Sequence, residues 1–144
     1  MKATFNNELI RSFANINKAY YHLLKMDADR MDLTVVQLKA LYRISYCPSI
    51  SLGELAENLR LTKSTVSGVI DRLVQRDFVS RTTQVNDRRA INLQLTETGS
   101  SKLKELVEKD SIVAQRVKEV MELPEEDIQK MLDLNEKILT ILNR

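Results

Sequence analysis

From Leu9 to Leu24 the apolar residues Leu9, Ile10, Phe13, Ile16, Tyr20, Leu23 and Leu24 recur every three or four positions, the spacing that aligns them along one buried stripe of a helix. The polar run Asp29 to Asp32 ends that stripe. Thr34 then stands three residues before Gln37, ahead of Val36, Leu38, Leu41, Tyr42 and Ile44. A hydroxyl and an amide at that spacing satisfy each other's backbone N–H groups, so a capping box is predicted to open a second helix. Pro48 disfavours helical geometry at Cys47 and closes it. Ser51 and Glu54 repeat the capping-box spacing before Leu52, Leu55, Ala56 and Leu59, which predicts a short third helix. A fourth is expected from near Thr62 to about Arg76, with only Arg60 and Leu61 between the two, the spacing of a helix-turn-helix.

The period then falls to two. Phe78 to Val85 favours a strand, Asn86-Asp87 is a turn signal, and Ile91, Leu93 and Leu95 alternate with Asn92 and Gln94. A hairpin with one strand facing a core is expected. Thr96 and Thr98 can cap a long helix whose Leu103, Leu106, Val113, Val117 and Val120 form a stripe, with Asp110 interrupting it at an apolar position. Pro124 suits the first turn of a last helix, and Glu125, Glu126 and Asp127 complement its positive end. Ile128, Met131, Leu132, Ile138, Leu139 and Leu142 supply its buried face. The terminal helices carry more apolar surface than the compact middle can cover, which favours interlocking with a second copy over a monomeric bundle.

Composition narrows the function. The chain has 144 residues, 43% hydrophobic and 29% charged, with three Gly and two Pro, as expected of a folded soluble protein rich in helix. No apolar run reaches the roughly 18 to 20 residues of a membrane span and no signal peptide is discernible, so a cytoplasmic protein without membrane contact is expected. Cys47 and His22 are the only residues of their kinds, which excludes an intrachain disulfide and a Cys/His metal cluster within one chain. Cys47 reads as a small buried hydrophobe and His22 as a partly buried structural residue. With no nucleophile-base pair, paired carboxylates or phosphate-binding glycine loop, neither an enzyme nor a cofactor is expected.

The net charge of +2 conceals a segregation. Residues 1–59 carry seven Lys/Arg against six Asp/Glu, residues 60–96 seven against three, and residues 97–144 eight against eleven, giving local balances of +1, +4 and −3. A basic middle between a neutral and an acidic segment points one face toward a polyanion. On a wheel of 100° per residue, Val66, Val69, Ile70, Leu73 and Val74 of the fourth helix cluster on one side, and Ser64, Thr65, Gly68, Asp71, Arg72 and Gln75 on the other. Small hydroxyls, a glycine and an arginine allow close approach to a major groove, although many merely solvated helix faces look alike. Arg88 and Arg89 at the hairpin turn change that balance, because an arginine on a projecting loop can enter a narrow minor groove.

Three stretches, LTVVQLKALYRI from Leu33, SLGELAENLRLTKSTVSGVIDRLVQRDFVSR from Ser51 and DRRAINLQLTETG from Asp87, resemble the MarR family of winged helix-turn-helix transcriptional regulators. The resemblance covers nearly the whole chain. It implies a mainly α fold with a small β-hairpin wing: an N-terminal dimerisation helix (1–32), a winged helix-turn-helix DNA-binding domain (33–96) and C-terminal dimerisation helices (97–144). It further implies a homodimeric regulator, usually a repressor, bound to double-stranded DNA at an inverted-repeat operator and released by a ligand or by oxidation. Carried over by position, Ser64, Thr65 and Gly68 face bases, Thr62, Lys63, Ser67 and Arg72 lie near phosphates, and Arg89 is the wing arginine. Asp87 is its acidic partner and Arg88 a backbone contact. Gly68 stands where several relatives carry a longer base-reading side chain, and Asp77 stands where members usually have Gly. The first helix lacks the cysteine of the peroxide-sensing branch, and one histidine cannot supply the zinc-sensing one. Small anionic aromatic ligands commonly bind this family beside the dimer helices, on elements that here carry Arg11, Lys18, Tyr20, His22, Tyr42 and Tyr46. The competing reading is a winged-helix protein-interaction module without specific DNA binding, whose surface need not be basic.

Overall fold

A computed structural model describes residues 2–84 and 87–144, with side chains described for 6–83 and 91–144. Its elements run α1 (Lys2–Arg30), α2 (Val35–Tyr46), β1 (Ile50–Ser51), α3 (Leu52–Leu59), α4 (Lys63–Gln75), β2 (Val79–Gln84), β3 (Asp87–Leu95), α5 (Glu97–Glu105), a π-helical turn (Leu106–Asp110), α6 (Ile112–Val120) and α7 (Glu125–Leu142). The fold is mainly helical, with one small antiparallel sheet of strand order β1-β3-β2. The chain divides into two compact units, 1–111 and 112–144.

The predicted caps account for where the helices of the first unit begin. Thr34 Oγ1 accepts from the Gln37 N–H at 3.2 Å, and Gln37 Oε1 accepts from the Thr34 N–H at 2.9 Å. Ser51 and Glu54 make the same reciprocal pair at 3.1 and 3.3 Å. Thr62 caps α4 by accepting from the Thr65 N–H at 3.1 Å. Thr96 caps α5 through the Gly99 N–H at 2.9 Å, whereas Thr98 lies inside the helix and donates to the Asp77 carboxylate at 3.4 Å. Asp77 sits at φ 59°, the left-handed conformation that glycine adopts freely and that aspartate tolerates better than most residues. It lets the chain turn from α4 into β2.

The core of the first unit lies where α2, α3, α4 and β3 meet, with Leu38, Leu41, Ile44, Leu55, Val66, Ile70, Leu73 and Leu93 fully buried. Leu93 pairs with Ile50 on one side and Arg81 on the other, so β1 adds a third strand to the expected hairpin. At two residues, β1 is too short to show a period. Of the turn expected at Asn86-Asp87, Asn86 lies outside the described residues, and Asp87 is already the first residue of β3.

Three expectations need correction. The long fifth helix is broken: the Ser111 N–H donates to the Leu106 carbonyl at 2.7 Å, closing a π turn, and Ser111 itself is extended at φ −67° and ψ 115°. The extra residue in that turn leaves Asp110 exposed and buries Ser111, whose hydroxyl donates to the buried Asp27 carboxylate at 2.7 Å. His22 is exposed on α1, and Cys47, the C-cap of α2, is half-buried. Apart from these three corrections, the α1 stripe is mostly exposed in this single chain, as is the apolar face of α7, where Ile128 alone is buried among the predicted residues. Among the described residues, no helix is long and apolar enough to cross a membrane.

Candidate nucleic-acid interface

Helix α4 packs on α2, α3 and β2 through Val66, Ile70 and Leu73, with Val69 and Val74 half-buried at the margins. The opposite face, Lys63, Ser64, Thr65, Gly68, Asp71, Arg72 and Gln75, is exposed. The helical wheel therefore separates the faces correctly, and Thr62 at the N-cap is exposed with them while Ser67 is half-buried. The Thr62 hydroxyl donates to the Thr65 hydroxyl at 2.9 Å, so the two cap-turn side chains are oriented by each other. A Cβ built on Gly53 would lie 3.3 Å from Lys63 Cε, which places the lysine stem against the start of α3. At Gly68 a Cβ would meet nothing within 4 Å. The centre of this face is thus open.

One residue of this surface escapes sequence reasoning. Arg81, on β2, forms an ion pair with Asp71 on α4, and its Nη2 also lies 3.5 Å from the Ser67 carbonyl oxygen. The only available signal is period-two alternation, which turns Arg81 to a fixed side of its strand but cannot show that this side meets α4. Behind the helix, Arg76 donates to the Asp32 carbonyl and stacks its guanidinium 4.9 Å from the centre of the Phe78 ring. These contacts tie the end of α4 to the α1–α2 connection and to Phe78, just ahead of β2. The side chains of Asp87, Arg88 and Arg89 lie outside the described ones; their backbone belongs to β3, the strand following the expected turn.

A cavity of about 280 Å³ opens beside α2, lined by Tyr42, Ser45, Tyr46, Leu95, Lys104 and Val107 among others. Of the residues on elements implicated in ligand binding, Tyr42 and Tyr46 line it and Arg11, Lys18, Tyr20 and His22 do not. Burial pushes the Tyr42 hydroxyl up to about 12, reinforced by Asp27 and by Tyr20 and Tyr46, while a hydrogen bond with Ser111 opposes the shift. Tyr42 is therefore a neutral phenol near pH 7.

Comparison with known proteins aligns with this geometry. A family model described as MarR family matches residues 33–91, the span from the entrance of α2 into β3. The multiple antibiotic resistance protein MarR of Escherichia coli is 30% identical over 106 residues, covering 70% of this chain and 74% of that protein. The transcriptional repressor MdtR of Bacillus subtilis is 33% identical over 79 residues, 55% of this chain and 51% of that protein. The chain spans 51–60% of the length of the first Bacillus subtilis regulators it matches. Among solved structures, a mutant of Escherichia coli MarR complexed with operator DNA superposes with a TM-score of 0.75 at 26% identity, covering 92% of this chain and 94% of that one.

Proposed function

Because this chain belongs to the MarR family, we propose that it is a sequence-specific DNA-binding transcriptional repressor, holding an inverted-repeat operator as a homodimer and releasing it when a small ligand binds. The observation that carries this reading is the exposed face of α4, where small hydroxyls flank a glycine with open space above it. A helix with that face can lie closer to base edges than one bearing long side chains. Ser64, Thr65 and Gly68 are assigned to bases. Thr62, Lys63, Ser67 and Arg72 are assigned to phosphates, with Arg89 entering the minor groove, Asp87 orienting it and Arg88 on the backbone. Repression is supported by MdtR, a named repressor, and operator binding by the DNA-bound Escherichia coli relative.

The homodimer is supported by the apolar residues left exposed on α1 and in the unit 112–144. For the ligand, the candidate site is the tyrosine-lined cavity, whose lining also holds Lys104 and Glu108, ion-paired at 3.9 Å. The deciding experiment is an electrophoretic shift with the DNA upstream of the gene encoding this protein, followed by footprinting. A retarded complex with a two-fold symmetric footprint is expected. Binding no tighter than to an unrelated duplex would end the sequence-specific reading and leave the protein-interaction module.

A further inference from the structure

We propose that Arg81 is a positioning residue for DNA binding that acts through Asp71, holding a carboxylate on the edge of the DNA-facing helix so that it does not oppose the phosphates. The inference rests on the DNA-binding reading above and adds to it a residue on the wing strand. Asp71 is the one carboxylate on the exposed face of α4, which otherwise presents Lys63, Ser64, Thr65, Gly68, Arg72 and Gln75. An uncompensated carboxylate there would face a polyanion, and like charges brought together across an interface are costly. Ser67 and Asp71, four residues apart, form the margin of that face along one ridge of the helix. Arg81 meets both, pairing with the Asp71 carboxylate and reaching the Ser67 carbonyl oxygen at 3.5 Å.

Exposure decides between a stabilising and a functional role. The Asp71 side chain is 52% exposed and that of Arg81 32%. An ion pair so open to water contributes little to folding stability. Its value lies in the charge it cancels where the surface meets DNA. The pair also lies on one side of the face, so that Gly68 and Arg72 stay uncovered.

The test is a double-mutant cycle on the full-length protein, using the duplex that the unaltered protein retains from a random-sequence pool and measuring anisotropy at several salt concentrations. Arg81→Gln should weaken binding on the order of tenfold by exposing Asp71. Asp71→Asn should bind as tightly as the unaltered protein or more so. Asp71→Asn combined with Arg81→Gln should recover most of the loss, and Arg81→Lys should stay near the unaltered value. Melting temperatures of all four should agree within a few degrees.

A double variant as weak as Arg81→Gln alone, with a salt slope shallower by about 0.9, would make Arg81 a phosphate contact and overturn the proposal. Weak binding by Asp71→Asn would overturn it too, and that variant decides the matter even if Arg81→Gln fails to fold. If the unaltered protein retains no duplex, the DNA-binding reading falls and this inference with it. Retention without rescue refutes Arg81's role alone.

Discussion

A Cβ built on Gly68 meets no atom within 4 Å, whereas one built on Gly99 would lie 2.1 Å from the Phe78 carbonyl oxygen. The two glycines therefore answer to different constraints. Gly99 lets the first turn of α5 pass against the backbone entering β2, where the same Phe78 carbonyl accepts from the Thr96 N–H at 3.0 Å. Gly99→Ala should lose roughly 1–3 kcal/mol, because backbone rather than a yielding side chain must move. Gly68 has no such reason within the chain, and a glycine inside a helix costs about 0.5–1 kcal/mol relative to alanine. Gly68→Ala should therefore raise stability by about that amount while weakening operator binding, if close approach to DNA is what the glycine serves. Urea denaturation with anisotropy on the same samples would check both halves; unchanged affinity would remove Gly68 from the contact. The two faces of α4 are legible in sequence because helical periodicity fixes which residues share a side. The Arg81–Asp71 pair is not, since it depends on the crossing of a strand and a helix that no local pattern encodes.

At the scale of elements, the helix starts were readable because each cap is a local event: Thr34 with Gln37, Ser51 with Glu54 and Thr62 with Thr65 all act over three residues. The two-residue β1 and the π turn were hidden for the opposite reason. Ile50 becomes a strand residue only by meeting Leu93, and the helix breaks so that Ser111 can reach Asp27, 84 residues away. Tyr42 lies close to that contact, and its own burial, which raises its hydroxyl, has a consequence at alkaline pH. The folded Tyr42 hydroxyl titrates at about 12 and the ordinary one at 10.0. The folded state thus keeps its proton longer than the unfolded one. This contribution is complete below pH 10 and is lost as pH rises from 10 toward 12. Tyr42→Phe should flatten that alkaline loss of stability, and identical melting curves between pH 9 and 11 for the two proteins would disprove it. The wing makes a separate prediction. Arg89→Ala should leave folding intact yet cost roughly 1–3 kcal/mol of operator binding per contact, with a shallower salt dependence. Asp87→Ala is its control: tighter binding would mean the aspartate only repels phosphates, and weaker binding would mean it orients Arg89.

At the scale of the molecule, the single chain leaves two sets of large apolar residues in water. Helix α1 exposes Leu9, Ile10, Phe13, Ile16 and Tyr20, and the unit 112–144 exposes Val117, Val120, Met121, Leu132, Leu139, Ile141 and Leu142. Isolated exposed leucines are ordinary, but contiguous apolar faces on a soluble protein mark a surface that something covers. The period-three-to-four stripes that made these helices predictable were expected to exceed what the compact middle can cover, and in this chain most of their residues are exposed. In the proposed homodimer a second copy would cover these faces without any new partner, because a two-fold axis presents the same surface on both chains. Two recognition surfaces related by such an axis are also what an inverted-repeat operator requires. Removing residues 124–144 deletes α7, and with it Met131, Leu132, Leu139, Ile141 and Leu142 of the proposed interface. The expected product is monomeric or aggregated by light scattering, and its operator affinity should fall because each half-site must then be bound independently. A soluble dimer that still binds the operator with full affinity after this truncation would place the interface elsewhere on the chain.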